Sequence, residues 1–155
     1  VEVIPSIVCL GVEMLKDGNI EDALKWADIG LSSVQAMQFI GNEAIMLALV
    51  KAEALLRHGK FSFAKRLLLK ALGEVQPGHE MNDRIHWLLG EAYSESHQTR
   101  DSLLHYSTCL RIREEYNGLN GNIDVKQAIG KAFVSESLFG QAKACFTEAL
   151  YTATR

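Results

Sequence analysis

Small and large apolar residues recur along the chain in a fixed order. A small residue opens each of four segments, with spacings of 41, 38 and 40 residues: Gly11, Ala52, Gly90 and Gly130. Three positions after each of these anchors stands a large apolar residue: Met14, Leu55, Tyr93 and Phe133. Further small residues stand twelve and nineteen positions after the anchor: Ala23, Ala64, Ser102 and Ala142, then Gly30, Ala71, Cys109 and Ala149. Because small residues let antiparallel helices approach closely, and a period near 40 is typical of helical repeats, the pattern predicts four helix-turn-helix repeats.

The same spacing predicts where each helix begins and ends. We expect first helices over 4–17, 43–58, 81–97 and 122–137, and second helices over 20–35, 61–75, 99–116 and 139–152. Asn42, Asn82 and Asn122 are predicted N-caps of three first helices. We expect one repeat domain over 1–155, with repeats at 4–35, 43–76, 81–116 and 122–152. Since residue 1 is valine, we also expect the chain to be part of a longer protein.

Several short motifs resemble the tetratricopeptide repeat (TPR) family. Leu89-Gly90-Glu91-Ala92-Tyr93 matches its L-G-x-x-Y signature, and Gly59-Lys60-Phe61 matches its turn. The units here are longer than the usual repeat of about 34 residues. The segments 109–115 and 122–125 resemble the long-period repeats of kinesin light chains. The resemblance implies an all-α fold, a right-handed superhelical solenoid of about four antiparallel helix-turn-helix repeats.

By this resemblance, the first helix of each repeat lines the inner wall of the superhelix. Positions three before, one after and five after the anchor then face a concave groove. The predicted partner-binding residues are Val8, Val12, Lys16, Leu49, Glu53, Arg57, Trp87, Glu91, Glu95, Gln127 and Lys131. Trp87 is the sharpest candidate, because tryptophan is enriched among interface hot spots. A core aromatic in an unusual register is the alternative interpretation of Trp87.

Composition and charge narrow the class of partner. Hydrophobic residues make up 48% of the chain and the formal net charge is −3. We expect no nucleic-acid partner, because no dense basic block occurs. We expect no membrane partner either, because no run of about 18 apolar residues is present. Three cysteines far apart in apolar surroundings are typical of a reducing compartment, so an intracellular location, cytoplasmic or nuclear, is predicted.

No residue pattern indicates catalysis or a bound cofactor. The five histidines form no His-x-x-x-His pair, so no metal site is predicted. The chain also lacks a Cys-x-x-Cys motif, a phosphate-binding glycine loop and a nucleophile elbow. We therefore expect no enzyme, no cofactor and no small-molecule substrate.

These observations predict a protein-interaction scaffold. Its groove would bind a peptide or helix of a partner within a larger assembly. The alternative is a regulatory or sensor segment that controls an attached DNA-binding or catalytic domain absent from this chain. Self-association through an uncapped repeat end also remains open.

Overall fold

The computed structural model describes residues 3–36, 41–76, 78–117 and 122–154, and these ranges contain eight α-helices. The helices are α1 (Val3–Lys16), α2 (Ile20–Ala36), α3 (Asn42–Arg57), α4 (Phe61–Glu74), α5 (Asn82–Glu95), α6 (Thr99–Asn117), α7 (Ile123–Ser135) and α8 (Phe139–Ala153). Every predicted helix end agrees to within two residues. The predicted all-α fold of paired helices is confirmed.

The helices form two compact units, Val1–Met81 and Asn82–Arg155. In the first unit, α1 packs against α2 and α3, while α3 also packs against α2 and α4. In the second unit, α5 packs on α6, α6 on α7 and α7 on α8. Each unit thus contains two helix pairs, and the expectation of one domain over 1–155 stays a prediction.

Each helix pair is joined by a turn of the same geometry. Seven positions after each anchor the backbone is left-handed, with φ near 78°, 79°, 60° and 60°: Gly18, Gly59, His97 and Ser137. The next residue donates its N–H to the carbonyl five positions back, with distances of 2.8 to 2.9 Å: Asn19, Lys60, Gln98 and Leu138. This is the Schellman arrangement, which satisfies carbonyls at the end of a helix. Glycine adopts it without strain, whereas histidine and serine do so at a cost.

The helix N-termini differ from the prediction. Asn42 is wrong as an N-cap, because Gly41 occupies that position and α3 begins at Asn42 itself. The Asn42 Oδ1 atom lies 2.8 Å from His79 Nε2, so the side chain bonds across the unit and not to its own helix. Asn122 does occupy the N-cap of α7, but its side chain makes no capping hydrogen bond.

The small residues of the repeat lie where helices cross. All twelve positions at the anchor and at twelve and nineteen residues beyond it are buried. A Cβ atom on Gly90 would lie 2.5 Å from the Tyr106 ring, and one on Gly130 would lie 2.7 Å from the Phe146 ring. The small residues therefore recur in every repeat because the two helices of each pair are in close contact there.

Apolar clusters join the helices within each unit. In the first unit one cluster contains Ile4, Ile7, Val8, Val34 and Leu47, and another contains Leu15, Ala23, Ala27, Val50 and Ala54. In the second unit the cluster contains Tyr106, Cys109, Val125 and Ile129. Each cluster draws residues from consecutive repeats, which is how stacked repeats bury what one pair cannot bury alone.

Candidate protein-binding surface

Two of the three apolar residues that were predicted to line the groove in the first unit are buried in the hydrophobic core. Val8 is 3% exposed and Leu49 is 5% exposed. Val8 packs in a cluster with Leu47 of α3, because α1 and α3 lie directly against each other. Neither side chain offers surface to a partner, contrary to the expectation of an accessible apolar wall. Val12, the third apolar residue predicted here, is exposed.

The charged residues of the first unit that were predicted to bind a partner form ion pairs and hydrogen bonds inside this unit. Lys16 is exposed and lies 3.1 Å from Glu13. Arg57 is paired with Glu53 at 3.2 Å and also donates to the backbone carbonyl of Leu15. That carbonyl is in the last turn of α1 and also accepts from the Gly18 N–H at 3.2 Å, so Arg57 adds to the hydrogen bonds that end this helix.

Trp87 belongs largely to the packing of the second unit. Its ring centroid lies 5.3 Å from that of Tyr106, and the Arg113 guanidinium carbon lies 5.6 Å from the indole centroid. The indole is half-buried against the core cluster of this unit. This geometry favours the interpretation of Trp87 as a core aromatic, so its replacement would disturb folding as well as any interface.

The other predicted residues of the second unit are more accessible. Glu95, Gln127 and Lys131 are exposed, and Glu91 is half-buried. Burial raises the pKa of the Tyr106 hydroxyl, and the charges of Glu91 and Glu95 raise it further. The two carboxylates therefore impose a negative potential on this side of α5.

Two histidines are paired in the same unit. The Nδ1 atoms of His86 and His105 lie 3.0 Å apart, and the Tyr93 ring stacks on His105 with centroids 5.3 Å apart. Burial lowers the pKa of both imidazoles; His105 and Arg111 lower that of His86 further, and Asp101 opposes the shift at His105. No group of three or more His, Cys, Asp or Glu residues able to hold a metal ion occurs in the described ranges.

Arg113 joins three helices of the second unit. Its Nε atom donates to Asp83 at 3.1 Å and its Nη1 atom to Asp124 at 3.3 Å. Since these carboxylates lie at the starts of α5 and α7, one guanidinium from α6 connects both repeats of the unit.

A pocket that the sequence did not indicate lies in the first unit. It is an open pocket of about 450 Å³ between α2, α3 and α4, and none of the predicted partner-binding residues lines it. One signal was present: Lys51 stands where the other repeats have Leu10, Leu89 and Ile129. Lys51 lines the pocket and pairs with Asp28 at 2.6 Å.

The last helix exposes an apolar face. Leu150 is 67% exposed, whereas its repeat equivalents Leu31 and Leu110 are half-buried. Leu31 packs against the cluster that includes Leu47 of α3, and Leu110 packs against the cluster of α7. In the first and third repeats, the first helix of the following repeat therefore contributes to covering this position.

Paired helices, small residues at their crossings and a repeated left-handed turn define a TPR-like helical repeat protein. The fold is similar to that of MamA (41-end) from Desulfovibrio magneticus RS-1, with a TM-score of 0.76 at 18% identity over 97% of this chain and 76% of that MamA chain. It is also similar to BtubC from P. vanneervenii, with a TM-score of 0.85 at 16% identity over 97% of this chain and 63% of BtubC. Both are TPR-like helical repeat proteins, and identity this low shows a shared fold only.

Comparison with protein-family models and with curated proteins gives no match. Of the helices in the described ranges, none has the length and apolar character needed to cross a membrane. The closer resemblance to kinesin light chains stays a prediction.

Proposed function

We propose that this chain is a protein-interaction scaffold whose first helices bind a peptide or helix of a partner in a concave groove, within a larger assembly. The observation that carries the proposal is the exposure of three polar side chains on α5 and α7, at positions that the family resemblance predicts to face the groove: Glu95, Gln127 and Lys131. These residues lie outside the core clusters, although the helices that carry them are anchored by buried apolar residues. TPR-like repeats generally present extended binding surfaces of this kind.

The burial of Val8 and Leu49 changes the chemical character expected of the partner, because these apolar side chains are not available for contact. The accessible part of the proposed surface has mixed charge, with carboxylates on α5 and an ammonium group on α7. An internal segment with both charges and a few apolar side chains would complement it. Such charge patterning contributes to specificity and association rate more than to affinity.

The test uses exposed residues, because Trp87 is part of the core. Affinity capture from source-cell lysate compares the wild type with Glu95→Lys/Lys131→Glu. A control, Arg100→Glu/Glu148→Lys, changes exposed residues at positions not predicted to face the groove, and both double variants keep the net charge. A partner lost only with Glu95→Lys/Lys131→Glu, and whose purified form shows the same loss, supports the proposal. Equal capture by all three proteins would contradict it.

A regulatory or sensor segment, attached to a DNA-binding or catalytic domain, is the second candidate. The exposed apolar face around Leu150 favours it, because the equivalent leucines of the first and third repeats pack against clusters that include the following helix. An attached domain or a second copy of the chain could supply that cover.

Light scattering of the wild type and Leu150→Glu tests the second copy, since self-association should decrease in the variant. Removing the repeats from the full-length protein tests control of an attached domain. An intracellular location, cytoplasmic or nuclear, remains part of this proposal.

A further inference from the structure

The pocket between α2, α3 and α4 combines an apolar floor with an accessible aromatic ring. Leu24 and Leu55 contribute to its floor, and Phe63 stands at its side with 58% of its surface exposed. A volume of about 450 Å³ is in the range of pockets that bind organic ligands or anchoring side chains. An exposed phenylalanine beside such a space is a favourable contact for another apolar group.

Cationic side chains also line the pocket. Lys60, Arg66 and Lys70 line the pocket, in addition to the Lys51–Asp28 pair. Within the described part of the chain, the ammonium groups of Lys60 and Lys70 make no ion pair. The lining has a net positive charge although the whole chain has a formal charge of −3. The local potential therefore favours an anionic partner.

The shape of the cationic surface is elongated. Phe63, Arg66 and Lys70 stand at positions i, i+3 and i+7 of α4, so they lie along one face of the helix. At 1.5 Å per residue they extend over roughly 10 Å. Two turns of a partner helix, or a short extended segment, would match this length better than a compact metabolite would.

We propose that this pocket binds an acidic amphipathic segment of a partner protein, with an aliphatic or aromatic side chain on the apolar floor and Asp or Glu residues against Lys60, Arg66 and Lys70. The site is separate from the surface proposed above, whose test residues lie on α5 and α7. A nucleic acid would also be attracted by the cations. A base could stack on the Phe63 ring, but the leucines of the lining favour burial of an aliphatic side chain, and for this reason we choose the peptide.

The test measures fluorescence anisotropy of a labelled synthetic peptide with the full chain. The probe peptide carries Leu and Phe at helical spacing, flanked by Asp and Glu. One control peptide replaces the acidic residues by Lys, and another replaces Leu and Phe by Ser. The protein variants are Lys60→Glu/Lys70→Glu and Phe63→Ser. Their controls are Arg100→Glu and Leu104→Ser, exposed positions on α6.

We expect the acidic amphipathic peptide to bind the wild type more tightly than either control peptide. Reversing both lysines should weaken binding at least about 10-fold, since attraction becomes repulsion. Phe63→Ser should weaken it about 5-fold through loss of apolar contact. The α6 variants should bind within about twofold of the wild type, because neither residue lines the pocket and exposed substitutions away from a binding contact usually have small effects.

Three results would overturn the proposal. The first is no binding of the acidic peptide to the wild type, and the second is equal binding by the pocket variants. The third is lysine-dependent binding of single-stranded RNA without binding of the peptide, which would assign the pocket to nucleic acid. Circular dichroism of each variant confirms that its fold is retained. None of these results bears on the Glu95 and Lys131 surface, so the two proposals fail separately.

Discussion

Replacing Gly90 by alanine adds one methyl group where α5 crosses α6. The new Cβ atom would lie 2.5 Å from two atoms of the Tyr106 ring, closer than carbon atoms can approach. Tyr106 is 4% exposed and packs against Trp87, so the ring has little room to move. Overpacking of this kind costs about 1–3 kcal/mol, whereas alanine gains about 1 kcal/mol over glycine in a helix. We expect a net loss in the free energy of unfolding of about 1 kcal/mol.

Two other glycines of the second unit are matched controls. Gly130 occupies the same repeat position, but the Phe146 ring at 2.7 Å is 38% exposed and has room to move toward solvent. Gly130→Ala should therefore be close to neutral. Nothing lies within 4 Å of a Cβ atom on Gly140, so Gly140→Ala should stabilise α8 by a few tenths of a kcal/mol, roughly.

Urea denaturation followed by far-ultraviolet circular dichroism measures all three variants. The expected order of stability is Gly140→Ala above Gly130→Ala above Gly90→Ala, with similar m-values. If Gly90→Ala were as stable as the wild type at an unchanged m-value, the close crossing of α5 and α6 would be refuted.

Three further predictions concern the turns, the histidine pair and the cysteines. Ser137→Gly should raise the free energy of unfolding by about 1 kcal/mol, because serine is held at φ near 60°; an unchanged urea midpoint would contradict this strain. The pKa values of His86 and His105 lie below 6.5 in the folded state, so the unfolded state binds more protons as the pH falls. The free energy of unfolding should therefore be highest above about pH 6.5 and decrease as the pH falls from that value toward the lowered folded pKa values. Thermal unfolding of His86→Gln should depend less on pH over this range, and an unchanged profile would exclude a contribution from His86. Cys9 is exposed, whereas burial raises the pKa of the Cys109 thiol to about 11, so a thiol reagent should modify Cys9 first and Cys109 only in denaturant. Rapid labelling of Cys109 in the native protein, detected by mass spectrometry, would contradict the predicted order of modification.

The helices and their crossings could be predicted because they depend on local and periodic properties. A small residue such as Ala64 lies at a helix crossing in every repeat. A turn glycine such as Gly59 marks the end of a helix in the first two repeats, whereas His97 and Ser137 take that position in the other two. The N-termini were less predictable, since a cap depends on the backbone angles of one residue and on distant partners. Asn42 shows this, because its side-chain oxygen is hydrogen-bonded to His79, which lies 37 residues further along the chain.

The candidate surface was predicted only in part, for a similar reason. The family pattern gives the direction of a side chain from its helix but not what lies in front of it. Val8 faces α3 and is buried, while Trp87 meets Tyr106 and Arg113. The cationic pocket depends on three helices at once, so Lys51 appeared in the sequence only as a residue that breaks the repeat.

Arg113 has a consequence for how the second unit opens. A fluctuation that frees the start of α5 breaks the contact with Asp83, and one that frees the start of α7 breaks the contact with Asp124. Because α6 carries the shared guanidinium, movement of that helix releases both carboxylates together. In the language of a one-dimensional chain of repeats, Arg113 contributes to the coupling between neighbours and not only to the stability of one repeat. Such coupling favours the loss of both helix pairs as one cooperative event.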